Sequence, residues 1–281
     1  MRLGIFAKTF PGTAPRGVLQ AVREAGFSAA QYNMACSGLP SMPDAVPLGE
    51  AAAVAEAARV SNVMLAALSG TYNMIHPDPA QREAGHRRLD VVAAAAAAMG
   101  APLVTLCTGT RDPADQWRGH PDNASPDSWR DLLASMEMAI GIAERHGIDL
   151  GIEPELANAV DGAAKAEKLI RDLASPRLRI VLDPANLFEV ADLDTQRRLV
   201  SQAVDLLADR IAMGHAKDRA PDGAFVAAGQ GVLDYPHYLG CLAAIGFRGP
   251  LVTHGLDGAE APGVARFLRA RLAEAGVEET P

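Results

Sequence analysis

The chain has 281 residues, 49% of them hydrophobic and 21% charged, with a formal net charge of −8. That length exceeds an ordinary domain but suits an α/β barrel, in which about 250 residues routinely form one unit. The negative charge argues against nucleic acid as a partner, since phosphate binding needs a basic footprint, and no stretch reaches the ~18 apolar residues of a membrane span.

Short apolar runs alternate with longer helical patterns from end to end. Residues 3–7 read as the first strand and 15–25 as a helix, with Gly26 where a helix C-terminal glycine belongs. The second strand is 28–33, followed by a loop over 34–47 rich in Pro, Gly and Ser. A helix over 49–60, a strand over 63–69, a helix over 78–99 and a strand over 103–107 come next. A long excursion then occupies 108–123, carrying Arg111, Trp117, Arg118 and His120, and reads as a lid. Ser125 and Pro126 look like an N-cap and first-turn proline for a helix reaching Arg145. Strand 149–152, helix 160–173, strand 179–182 and helix 194–208 follow. Strand 211–214, helix 235–244, strand 251–253 and helix 261–275 complete the chain.

Eight strand–helix units in one chain, with strands apolar throughout rather than alternating, predict parallel strands buried on both faces. The loop after the first strand, Lys8-Thr9-Phe10-Pro11-Gly12, lacks the glycine pattern of a dinucleotide-binding open sheet. The expectation is therefore a single-domain (β/α)8 TIM barrel over residues 1–281, with no linker marking a second domain. Cys36, Cys107 and Cys241 are odd in number and widely spaced, which suits free thiols in a reducing cytoplasm. The N-terminus begins a strand almost at once and lacks a signal peptide's apolar region, so the expected location is cytoplasmic.

In such barrels the working residues sit at the C-terminal ends of the strands. Those ends carry Lys8, Asn33, Asn73 and His76, Thr108 to Arg111, Glu153, Asp183, His215 and His254. Ionisable groups at the mouths of apolar strands are costly unless they serve something. Glu153, Asp183 and His215 end three successive strands and offer mixed oxygen and nitrogen donors. Such a set suits one divalent ion, Mn²⁺, Mg²⁺, Co²⁺ or Zn²⁺, with positions left for substrate oxygens. Lys217 and Arg219 follow directly and would neutralise an enediolate, a carboxylate or a phosphate.

Four motifs together, Glu153-Pro154-Glu155, Leu182-Asp183-Pro184-Ala185-Asn186, His215-Ala216-Lys217-Asp218 and Gly229-Gln230-Gly231-Val232-Leu233-Asp234, resemble the sugar phosphate isomerase/epimerase superfamily of xylose isomerase-like barrels. The resemblance spans the whole chain; its motifs are specific for the superfamily and weak for any one activity. It implies that Glu153, Asp183 and His215 take metal-ligand positions. The fourth ligand of that group is usually a glutamate ending the eighth strand, and here His254 stands there. Asn186 stands where many relatives carry a histidine. The endonuclease branch builds a three-zinc cluster from additional histidines, which are missing at the expected strand ends.

The resemblance further implies a metal-dependent isomerase or epimerase acting on a sugar, keto-sugar or sugar phosphate. A proton next to a carbonyl is removed, an enediolate stabilised by the ion forms, and the carbon is reprotonated. Glu153 is the expected base, His254 the group on the opposite face, and Lys217 the catalytic cation. Lys8, Asn73, His76, Arg111, Asn186 and Arg219 are the expected substrate contacts. Two alternatives stand beside this reading: a keto-polyol dehydratase of the inosose type, and a sugar-binding barrel that has lost catalysis with its fourth glutamate. Oligomeric state is silent in the sequence, although relatives often form dimers or tetramers, so a homo-oligomer is carried over from the resemblance alone.

Overall fold

In the computed structural model, which describes residues 1–280, eight parallel strands close into a barrel. They are β1 (Arg2–Phe6), β2 (Ala29–Tyr32), β3 (Met64–Ser69), β4 (Leu103–Cys107), β5 (Asp149–Glu153), β6 (Leu178–Leu182), β7 (Ile211–Ala216) and β10 (Pro250–Thr253). Around the ring the order is β1, β10, β7, β6, β5, β4, β3, β2, so that β1 pairs with both β10 and β2. A helix follows each strand on the outside: α1 (Pro15–Glu24), α2 (Glu50–Ser61), α3 (Pro79–Met99), α4 (Pro126–His146), α5 (Ala163–Leu173), α6 (Leu193–Leu207), α7 (Tyr235–Ala244) and α8 (Ala261–Glu274). Two short strands, β8 (Asp218–Arg219) and β9 (Phe225–Val226), form an antiparallel hairpin above β7. No helix among the described residues is long and apolar enough to cross a membrane.

The helix ends follow local chemistry. Asp78 and Ser125 accept backbone N–H bonds as N-caps, each with proline at the next position, and Gly100 and Gly147 close the same two helices in the left-handed conformation. One expected helix start is corrected. The pattern suggested a helix from residue 160, yet α5 begins at Ala163. The backbone N–H of Val160 donates instead to Thr108 Oγ1 at 3.0 Å, and its carbonyl accepts from the Glu155 N–H at 3.0 Å. That loop is thus pinned to the end of β4 before the helix starts. Strand β7 also runs two residues further than the expected 211–214 and includes His215.

Most of the apolar core lies between barrel and helices. A second, smaller core fills the lower lumen with Ala29, Ala67, Leu103, Val181, Met213 and Val252. Glycine is required where this plug is tightest. A Cβ on Gly151 would lie 2.8 Å from Val181 Cγ2, and one on Gly4 would lie 3.0 Å from Val252 Cγ2. The barrel floor is closed, and whatever the lumen holds above it must enter from the C-terminal rim.

The glycine-rich segment after the hairpin is held by one carboxylate. Buried Asp218 accepts from the backbone N–H groups of Arg219, Gly229 and Leu233 at 2.9–3.0 Å. Asp218→Ala leaves those donors unpaired and is expected to lower stability by about 3 kcal/mol in urea denaturation, while Asp218→Asn retains one acceptor and loses less.

Candidate metal centre

Alternation along each strand sends every second side chain into the lumen. Above the apolar plug this places Gln31, Ser69, Thr105, Glu153, Asp183, His215 and His254 in one polar layer. One step further up, Lys8, Asn33, Thr71, Cys107, Glu155 and Lys217 line the mouth. The resulting cavity, about 560 Å³, is lined also by Phe6, in register with Gln31, and by Trp117 and Phe225 from the segments after β4 and β7.

Glu153, Asp183, His215 and His254 each offer one donor atom, all within 4.8 Å of one another. Glu153 Oε1 lies 3.1 Å from His215 Nδ1, and Asp183 Oδ2 lies 3.3 Å from His254 Nε2. The two imidazole rings are 4.5 Å apart, centroid to centroid. Asp183 also accepts from the Ala185 N–H at 2.9 Å, which shapes the turn carrying Asn186. The Asn186 amide then donates to Glu153 Oε1 at 3.0 Å and to Glu155 Oε2 at 3.2 Å, joining the two carboxylates.

Gln31 fixes the orientation of His215. Its amide nitrogen donates to Ser69 Oγ and Thr105 Oγ1, which leaves its carbonyl facing His215 Nε2 at 3.0 Å. Nε2 therefore carries hydrogen, and the lone pair of a neutral ring sits on Nδ1, facing the Glu153 carboxylate. Two acceptors at 3.1 Å repel unless a proton or a cation lies between them. Among the described residues, Glu153 and Asp183 form ion pairs only with these histidines, and both carboxylates are buried. Buried carboxylates without a lysine or arginine partner call for a cation. The donor set fits a divalent ion.

The same proximity couples the charge states of the four groups. Burial pushes the Asp183 carboxyl up, but the neighbouring imidazoles, His254 first, outweigh it and bring the group down to about 2. Burial likewise opposes ionisation of Glu153, and His215 overcomes it and holds the carboxyl below its ordinary value. His215 is raised despite burial because Glu153 and Asp183 stabilise its cation. His254 is lowered by burial and by His215. Glu155, pushed by burial and by the Glu153 charge, rises to about 7.

The sequence model of the xylose isomerase-like TIM barrel family matches residues 19–272. The chain belongs to this family. Among solved structures it is similar to a 3-keto-D-glucoside 4-epimerase from E. coli, at 18% identity and a TM-score of 0.74, covering 98% of this chain and 99% of that one. An L-ribulose 3-epimerase is 18% identical with a TM-score of 0.75, covering 98% of this chain and 94% of its own. A D-allulose 3-epimerase from Methylomonas sp. is 17% identical with a TM-score of 0.75, covering 97% and 98%. No curated protein sequence matches the chain.

Within this family barrel, the sequence-named residues divide into two groups. Lys8, Lys217, Glu153, His215 and His254 line the cavity, Asp183 converges with the last three of these at its floor, and Asn186 supports Glu153. Four expected substrate contacts are committed elsewhere. Asn73 exchanges hydrogen bonds with the backbone of Thr110, at 2.8 and 3.0 Å. His76 accepts from the Asp78 N–H and turns its other nitrogen to the Pro113 carbonyl. Arg111 ties its loop to α4 through Ser128 and Asp131, both at 2.6 Å. Arg219 donates to the carbonyls of Ala185 and Gly223 and stacks on the Phe225 ring. Of the expected lid, Trp117 reaches the cavity, whereas Arg118 pairs with Asp112 and His120 caps a turn through the Asp122 N–H. Sequence reasoning passed over Gln31, Glu155 and Phe225. A glutamine between Ala30 and Tyr32 of a fully buried strand was the available signal for the first.

Proposed function

We propose that the protein is a divalent-metal-dependent sugar isomerase or epimerase. One observation carries this reading: four mixed oxygen and nitrogen donors converge within 4.8 Å at the floor of an open polar cavity. The family assignment and the sugar epimerases among the structural neighbours support it.

Glu153, Asp183, His215 and His254 would hold the ion. When bound, a divalent ion polarises the carbonyl and hydroxyl oxygens of a substrate. Glu153 is the base that removes the proton next to the carbonyl. A carboxylate has two oxygens, so one remains for the proton when the other is engaged. His254 differs in this respect. With Nε2 turned to the ion, its Nδ1 keeps a hydrogen, donates to a substrate oxygen and cannot take a proton from carbon. We therefore assign to Glu155, which Asn186 links to Glu153 and which lines the mouth beside it, the return of a proton on the face that Glu153 deprotonates, the course of an isomerisation; an epimerisation draws its second proton from the opposite arc of the rim. Lys217 balances negative charge developing on the substrate.

Proton NMR in D₂O tests the reading. Ketoses, keto-polyols and their phosphates are incubated with protein loaded with Mg²⁺, Co²⁺ or Zn²⁺. Loss of the signal next to the carbonyl, with a product of unchanged composition, is the expected result. A product lighter by one water would assign a dehydratase instead. Absence of exchange across the panel with metal-loaded protein would overturn the enzyme reading and leave a sugar-binding barrel.

A further inference from the structure

The rim of the cavity is electrically two-sided. Its carboxylates, Glu153 at the end of β5, Glu155 two residues beyond it and Asp183 directly after β6, occupy one arc. On the other arc β10 lies between β1 and β7, so His254 is flanked by Lys8 on one side and Lys217 on the other. No acidic side chain lines the cavity on that arc. Elsewhere the chain pairs its lysines: Lys165 with Asp161 and Lys168 with Asp172. Among the described residues, Lys8 and Lys217 make no salt bridge, and Lys217 instead rests its ammonium 3.2 Å above the Phe225 ring centroid. In a chain of net charge −8, unpaired lysines meeting at one cavity mark a demand for an anion.

The backbone beside the lysines narrows the choice of anion. A phosphate ester, with three acceptor oxygens, draws on backbone N–H groups as well as cations, whereas a carboxylate is met by the two ammonium groups. The usual phosphate cradle of these barrels, the loops after the last two strands with a helix N-terminus, is closed here. Asp218 consumes the N–H groups of Gly229 and Leu233, the Gln230 N–H bonds to Ala227, and Glu260 stands at the N-terminus of α8.

We infer that the substrate is a sugar acid whose carboxylate seats between Lys8 and Lys217, above His254, while its carbonyl end reaches Glu153. The inference deepens the isomerase or epimerase reading and rests on it.

The test uses ketohexoses, their C6-oxidised uronates and their 6-phosphates, which differ only at one carbon. With metal-loaded protein, kcat/KM for proton exchange by the best uronate is expected to exceed that of the best neutral and phosphorylated forms by at least about tenfold. Lys8→Gln is expected to raise KM for the uronate about tenfold or more while changing KM for the neutral ketose less than about threefold, since the lost hydrogen bond is to a charged group. Preference for the neutral or phosphorylated form, or equal effects of Lys8→Gln on all three, overturns the inference and leaves the enzyme reading standing. Should no compound exchange, the enzyme reading fails and calorimetry decides this one separately. Uronate binding weakened in Lys8→Gln sustains the anion subsite, and absence of uronate binding removes it.

Discussion

Replacing Asp183 by alanine is expected to strip the divalent ion from the protein and to lower turnover by at least about 10³-fold, the equivalent of several kcal/mol of lost charge stabilisation. Asp183 is buried, faces His254 Nε2 at 3.3 Å and also holds the turn that carries Asn186 beneath Glu153. Alanine removes the donor and loosens that turn together. Asp183→Asn separates the two effects. It keeps the volume and the oxygen that accepts from the Ala185 N–H, so the fold should survive, while the lost charge still weakens the ion's hold. Metal content by mass spectrometry and thermal unfolding, read on both variants, check the expectation. An alanine variant that retains one equivalent of metal and its activity would remove Asp183 from the centre.

The fold was legible because buried parallel strands read as continuous apolar runs, and each run here ends in a residue that does not belong in a core. Glu153, Asp183, His215 and His254 stood out for that reason, and their strand ends do meet in one layer. Loop residues were less legible. Asn73, His76, Arg111 and Arg219 lie at the correct end of the barrel, but the direction of a loop side chain is set by the nearest backbone carbonyl or carboxylate. Arg111 finds Asp131 on α4, a pairing 20 residues away that no local pattern announces. Gln31 was missed for the opposite reason. It sits inside a strand rather than at its end, and its partners Ser69, Thr105 and His215 come from three other strands. The β8–β9 hairpin that presents Phe225 has strands of two residues each, too short for any periodicity.

The second large effect concerns the eighth barrel strand. His254 gives the centre two imidazoles and two carboxylates, where the superfamily that the sequence resembles usually has a third carboxylate. Imidazole suits ions such as Zn²⁺ and Ni²⁺, whereas carboxylates suit Mg²⁺ and Mn²⁺. Competition titrations of the protein should therefore favour Zn²⁺, Co²⁺ or Ni²⁺, and His254→Glu should narrow the gap to Mn²⁺ and Mg²⁺ by about tenfold or more, one lost nitrogen donor against one gained charge. The same variant carries a cost without metal. Its new carboxylate stands beside buried Asp183 and Glu153 with one fewer imidazole to offset them, so like charges crowd a desolvated site. Metal-free His254→Glu should unfold at a lower temperature than the parent, and the rise on adding ion should be larger, because binding to the folded state alone shifts the equilibrium. Unchanged ion preference together with an unchanged melting temperature would show that His254 contributes no donor, leaving three protein ligands and a histidine free to meet the substrate.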